Sequence, residues 1–117
     1  MHVSLFRKAD SIRDFTTGDV IFAVGDKGDV MYAVVEGNVE LKVGNSVVEI
    51  VEPGEFFGEM ALIDDSPRSA TAIAGDSCKL AIVNRDQFVR MVEGTPFFAL
   101  TVMEKMADRL RRMDQLL

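Results

Sequence analysis

The residues able to do chemistry in this chain gather in one segment, FFGEMALIDDSPRSATA, which runs from Phe56 to Ala72. Arg68 supplies a permanent charge on a planar fork that matches the oxygens of a phosphate or carboxylate. Glu59 is acceptor-only when ionised, so it repels such an anion and needs a hydroxyl donor instead. Gly58 lets a ligand come close to the backbone, and Ser69 and Ala70 offer small side chains and accessible N–H groups. A helix predicted to open at Gly58 would add unpaired amides and the positive end of its dipole to the anion's environment. The segment is built for a molecule that carries an anionic group beside a hydroxyl.

Other chemistries find too few partners. One histidine, His2 at the N-terminal end, leaves no ligand cluster for a metal and no base to activate Cys78 as a nucleophile. Cys78 itself, in SCKLAIV, reads as a buried strand residue. Glu59 has no paired carboxylate at catalytic spacing, so no catalytic residue is assigned. Nineteen acidic against thirteen basic residues give a net charge of −6, which disfavours nonspecific nucleic-acid binding. An anion must be held by local groups against that field. The donor that fits Glu59 is a ribose 2′-OH, and the anion beside it a phosphate folded back onto the same sugar.

Such a site needs a rigid frame, and the flanking sequence provides strands. VIFAVGD, VMYAVVEG, NVELKVG and VVEIVEPG are β-branched or alternating runs, each closed by glycine or Pro-Gly; SATAIAGD and CKLAIVNR follow the segment. Their regular spacing predicts an antiparallel, jelly-roll-like β-roll over about residues 14–84. Gly18, Gly25, Gly28, Gly37 and Gly54 are read as turn residues. From Arg85 the period changes: a short helix ends at Gly94, Thr95-Pro96 reads as an N-cap followed by a first helical proline, and a long helix runs to about Leu117. At 117 residues the chain is expected to be one domain, with helices over about 85–117. No apolar run approaches the roughly 18 residues of a membrane span, and a cytoplasmic location is expected.

The segment closely resembles the phosphate-binding cassette of the cyclic nucleotide-binding domain family. That cassette reads F-G-E-[LIM]-A-L, a variable turn, then P-R-[SAT]-A-T; here it stands as Phe57-Gly58-Glu59-Met60-Ala61-Leu62 and Pro67-Arg68-Ser69-Ala70-Thr71. The resemblance extends upstream through Gly18-Asp19-Val20-Ile21-Phe22, Gly25-Asp26, Gly28-Asp29, Met31-Tyr32 and Glu36-Gly37-Asn38-Val39. It implies a cyclic nucleotide receptor that binds and does not catalyse, without a metal or other cofactor. It further implies that Glu59 and the Gly58 backbone hold the ribose 2′-OH, while Arg68 and the amides near Ser69 and Ala70 hold the cyclic phosphate. Ser69 directly after the arginine favours cAMP, with cGMP as the alternative.

Two further expectations rest on the last helix. Ala99, Met103, Met106, Leu110, Met113 and Leu117 form an apolar stripe that either packs within the domain or seams a homodimer. Arg109 resembles, in its place along the helix, an arginine that caps the base in some family members, in which this helix closes over bound nucleotide. The family usually has a helical segment before the first strand; here only MHVSLFRKADS is available for it. The competing class of function is a protein-interaction or scaffold domain whose roll is only structural, and metal-free hydrolysis of the nucleotide comes third. The output is not visible in the chain, which is read as a sensor domain of a channel, kinase or transcription regulator, or as a module acting through partners.

Overall fold

The computed structural model describes residues 11–116, with side chains through residue 112. It divides into two compact units, one ending at Arg85 and the other beginning at Asp86. The first is a β-roll of eight strands: β1 (Ile12–Phe15), β2 (Val20–Phe22), β3 (Val30–Glu36), β4 (Val39–Val43), β5 (Ser46–Val51), β6 (Phe56–Phe57), β7 (Thr71–Ala74) and β8 (Cys78–Asn84). They form two four-stranded sheets, ordered β1-β8-β3-β6 and β2-β7-β4-β5, with every pairing antiparallel.

The strands bury one shared core. Tyr32 and Val34 of β3, Phe57 of β6, and Cys78 and Leu80 of β8 come from the first sheet; Val39, Val51, Ala72 and Ala74 come from the second. Phe57 and Val39 are fully buried, and each such side chain contributes about 1.5–3 kcal/mol relative to exposure. Alternation breaks at β2, where the register with β7 shifts between Val20 and Phe22. That irregularity lets the neighbours Ile21 and Phe22 both pack against the core. Phe22, Tyr32 and Phe57 then cluster: Tyr32 and Phe57 stack with centroids 5.2 Å apart, and Phe22 lies 5.9 Å from each. Each aromatic pair adds about 0.5–1.5 kcal/mol beyond its buried area.

Two strands were not expected from the sequence. β1 pairs its four residues with β8, and the two-residue β6 pairs Phe57 with Tyr32 and Phe56 with Ala33. Both are short edge strands, held by a neighbour's ladder more than by their own pattern. The helix expected at Gly58 is a 3-10 turn, Glu59–Leu62.

The second unit contains α1 (Arg85–Gly94) and α2 (Phe97–Leu116). Thr95 N donates to Met91 O at 2.9 Å and closes α1, while Phe98 N donates to Thr95 O at 2.9 Å and opens α2. The Thr95 carbonyl thus accepts the bond that opens α2, as expected of a residue at the N-cap. Phe88 and Phe98 join the two helices with ring centroids 5.4 Å apart. Within the expected stripe, Met103 and Leu110 are exposed, and Ala99 and Met106 are half-buried. The side chains of Met113 and Leu117, the histidine at position 2 and most of the N-terminal MHVSLFRKADS lie outside the described residues.

Candidate functional site

The cassette begins where β6 ends. Gly58 takes a left-handed backbone, φ 76°, and turns the chain from the strand into the 3-10 helix. A side chain there would be strained, and its Cβ would lie 2.8 Å from Arg68 Nη1. The helix is a single 3-10 turn of four residues, too short to sum the dipole expected of a full helix. What the turn does is direct Glu59 inward: the residue is only 4% exposed. Below it the chain reverses through an Asp64 turn, in which Ser66 N donates to Asp64 Oδ1 at 2.9 Å.

Arg68 is pinned at both ends. Its backbone N donates to Asp26 O and its carbonyl accepts from Gly25 N, each at 2.8 Å. These bonds stitch the cassette to the loop between β2 and β3. Thr71 adds a third stitch, its Oγ1 accepting from Val24 N at 3.0 Å. The loop is itself closed by Asp26, whose Oδ2 accepts from Ala23 N at 2.9 Å.

The side chain then runs inward until Arg68 is 8% exposed. Nη1 donates to Gly58 O at 3.0 Å and Nη2 donates to Val30 O at 2.8 Å. The guanidinium carbon lies 4.2 Å from the Phe22 ring centroid and 5.9 Å from that of Tyr32. Burial lowers the pKa of Arg68 from its ordinary value, opposed by Tyr32, Asp29, Asp26 and Glu59. The side chain stays charged at any working pH. Arg68 Nε is buried and has no hydrogen-bond partner, alone among the buried side-chain polar atoms of the described residues. An orphaned donor on a buried cation costs about 1–3 kcal/mol or more, and an anionic acceptor would remove that cost.

The sequence-derived residues therefore separate by role. Gly58, Glu59 and Arg68 converge, with Arg68 bonded to Gly58 and close enough to Glu59 to feel its charge. Phe57 is a core residue that supports the aromatic cluster. Met60, Pro67 and Ser69 are exposed, and Ala61, Ala70 and Thr71 are half-buried. Arg109 is a half-buried residue of α2, in the other unit.

Gly28 differs from the expected turn residue: it has no positive φ, and a Cβ there would fall on the guanidinium of Arg68. It is glycine because the arginine occupies the space. Phe22 and the Val30 carbonyl were not anticipated at all, since nothing in their spacing ties them to Arg68 across the fold.

The sequence profile of the cyclic nucleotide-binding domain family matches residues 12–95, which covers the whole roll and α1. The chain belongs to this family. It is 34% identical over 107 residues to the cyclic AMP receptor protein of Thermus thermophilus, covering 87% of this chain and 50% of that protein. It is 40% identical over 87 residues to a cyclic nucleotide-gated potassium channel of Mesorhizobium japonicum, covering 74% of this chain and 24% of the channel. The chain thus spans half or less of the length of these curated relatives. Among solved structures, the Thermus thermophilus catabolite activator protein superposes with a TM-score of 0.81 at 31% identity, over 96% of this chain and 55% of that one. Among the described residues no group of three or more metal-ligating side chains comes together, and no helix is long and apolar enough to cross a membrane.

Proposed function

We propose that this cyclic nucleotide-binding domain holds cAMP, in the cytoplasm, and serves as a regulatory module without catalysis or a metal. The observation that carries the proposal is Arg68: a buried permanent cation whose Nε has no partner, near a buried glutamate, its guanidinium lying in the space that Gly28 leaves free. A cyclic phosphate supplies the acceptor that Nε lacks, and the ribose 2′-OH beside it supplies a donor to Glu59. Small, exposed Ser69 favours cAMP over cGMP by the family resemblance. Relatives point both ways, since they include the Thermus cyclic AMP receptor protein and a cGMP-dependent protein kinase of Eimeria tenella that is 36% identical over 81 residues. The C-terminal helix, with Arg109 as the cap on the base, is the element through which binding is passed on.

Calorimetric titration with cAMP, cGMP and 5′-AMP tests the proposal. One cAMP per chain is expected, with weaker cGMP binding and no 5′-AMP binding at comparable concentration. Heat from neither cyclic nucleotide would overturn it in favour of a structural roll.

A further inference from the structure

We propose that Phe22 is a positioning residue for anion capture: its ring, packed against the Arg68 guanidinium, holds the group so that the donors not spent on backbone carbonyls can meet the phosphate. The inference rests on the binding function proposed above and concerns how the arginine is presented.

Four contacts constrain the guanidinium. Nη1 and Nη2 are committed to the carbonyls of Gly58 and Val30, which lie on different strands' ends of the same sheet. Those two bonds orient the fork, and the group is packed against the Phe22 ring, 4.2 Å from the guanidinium carbon, and the backbone of Gly28, where even one added carbon would collide. Guanidinium groups stack on aromatic rings by cation–π attraction, which strengthens as water is excluded. Phe22 is held in turn by Tyr32 and Phe57, so the platform is part of the core and does not depend on a loop. Two of the guanidinium's five N–H donors are spent on these carbonyls, and Nε has no partner at all. An aliphatic residue at position 22 would fill much of the volume without a face for the cation. The guanidinium would then be held by its two carbonyl bonds alone, and its remaining donors would be less firmly directed.

Affinity and stereochemistry separate presentation from simple packing. The two phosphorothioate diastereomers of cAMP each replace one exocyclic phosphate oxygen with sulfur, a poorer hydrogen-bond acceptor. A guanidinium held in one position should distinguish them; one less firmly directed should do so less. In the wild-type chain the two are expected to differ in affinity by about tenfold or more. Phe22→Leu should weaken cAMP binding by about 3- to 30-fold and bring the diastereomers to within about threefold of each other. Phe22→Tyr, which keeps the ring, should retain the wild-type ratio. Phe22→Met serves the same purpose should Phe22→Leu melt below the working temperature. An unchanged diastereomer ratio in a folded Leu or Met variant would overturn the inference even where overall affinity falls, because loss of packing alone lowers both affinities together. Absence of cAMP binding by the wild-type chain would overturn the inference together with the function beneath it.

Discussion

Arg68 and Glu59 are both charged and both more than nine-tenths buried, an arrangement that costs free energy unless something uses it. The arginine recovers part of that cost through two backbone carbonyls and an aromatic face, and leaves Nε unmatched. Glu59 lies close enough to act on the charge of Arg68 but cannot accept from an anion, so it is the residue that should recognise the sugar. If so, 2′-deoxy-cAMP should bind the wild-type chain about tenfold or more weakly than cAMP, and Glu59→Ala should largely erase the difference. Competition binding with the two nucleotides checks this; equal affinities in the wild type would remove Glu59 from the site. Both residues were legible in the sequence because their types are unusual in a segment of small and apolar neighbours. Phe22 was not, because an aromatic at the end of a β-branched strand has the same pattern whether it faces solvent, core or cation.

At the level of elements, the segment's turn, the loop between β2 and β3, and the end of β6 act together. Backbone bonds from Arg68 to Gly25 and Asp26, and from Val24 to the Thr71 hydroxyl, hold the loop against the cassette. The long strands were readable from their β-branched runs and closing glycines. β1 and β6 were not, since four and two residues carry too little periodicity to be seen without the partner strand. The expected helix dipole failed for a related reason: an apolar run of four residues cannot distinguish an α-helix from a 3-10 turn. Gly28 is the element-scale residue whose role changed most. Its backbone does not need glycine, so Gly28→Ala tests space alone. The variant should lose about tenfold or more in cAMP affinity while its melting temperature shifts by a few degrees at most, read by calorimetry and circular dichroism. Unchanged affinity would show that the guanidinium's location is immaterial to binding.

For the whole molecule, a net charge of −6 means that an anionic nucleotide is drawn in by the local cation and not by the long-range field. Passing the signal on requires that the ligand bind one conformation of the chain better than another. The proposed coupling to the C-terminal helix gives a concrete expectation: cAMP should protect amides of residues 107–113 from hydrogen exchange more in the wild type than in Arg109→Ala. Equal protection in both proteins would dismiss the cap and leave any coupling to the apolar residues of α2. All of this stands on Arg68 holding the phosphate. Isothermal titration of cAMP into the wild-type chain and into Arg68→Ala, with circular dichroism to confirm that both are folded, tests that directly. Losing a charge-assisted hydrogen bond of about 1.5–3 kcal/mol should weaken binding by roughly 10- to 150-fold. A folded Arg68→Ala chain that binds cAMP as tightly as the wild type would contradict the assignment of the site.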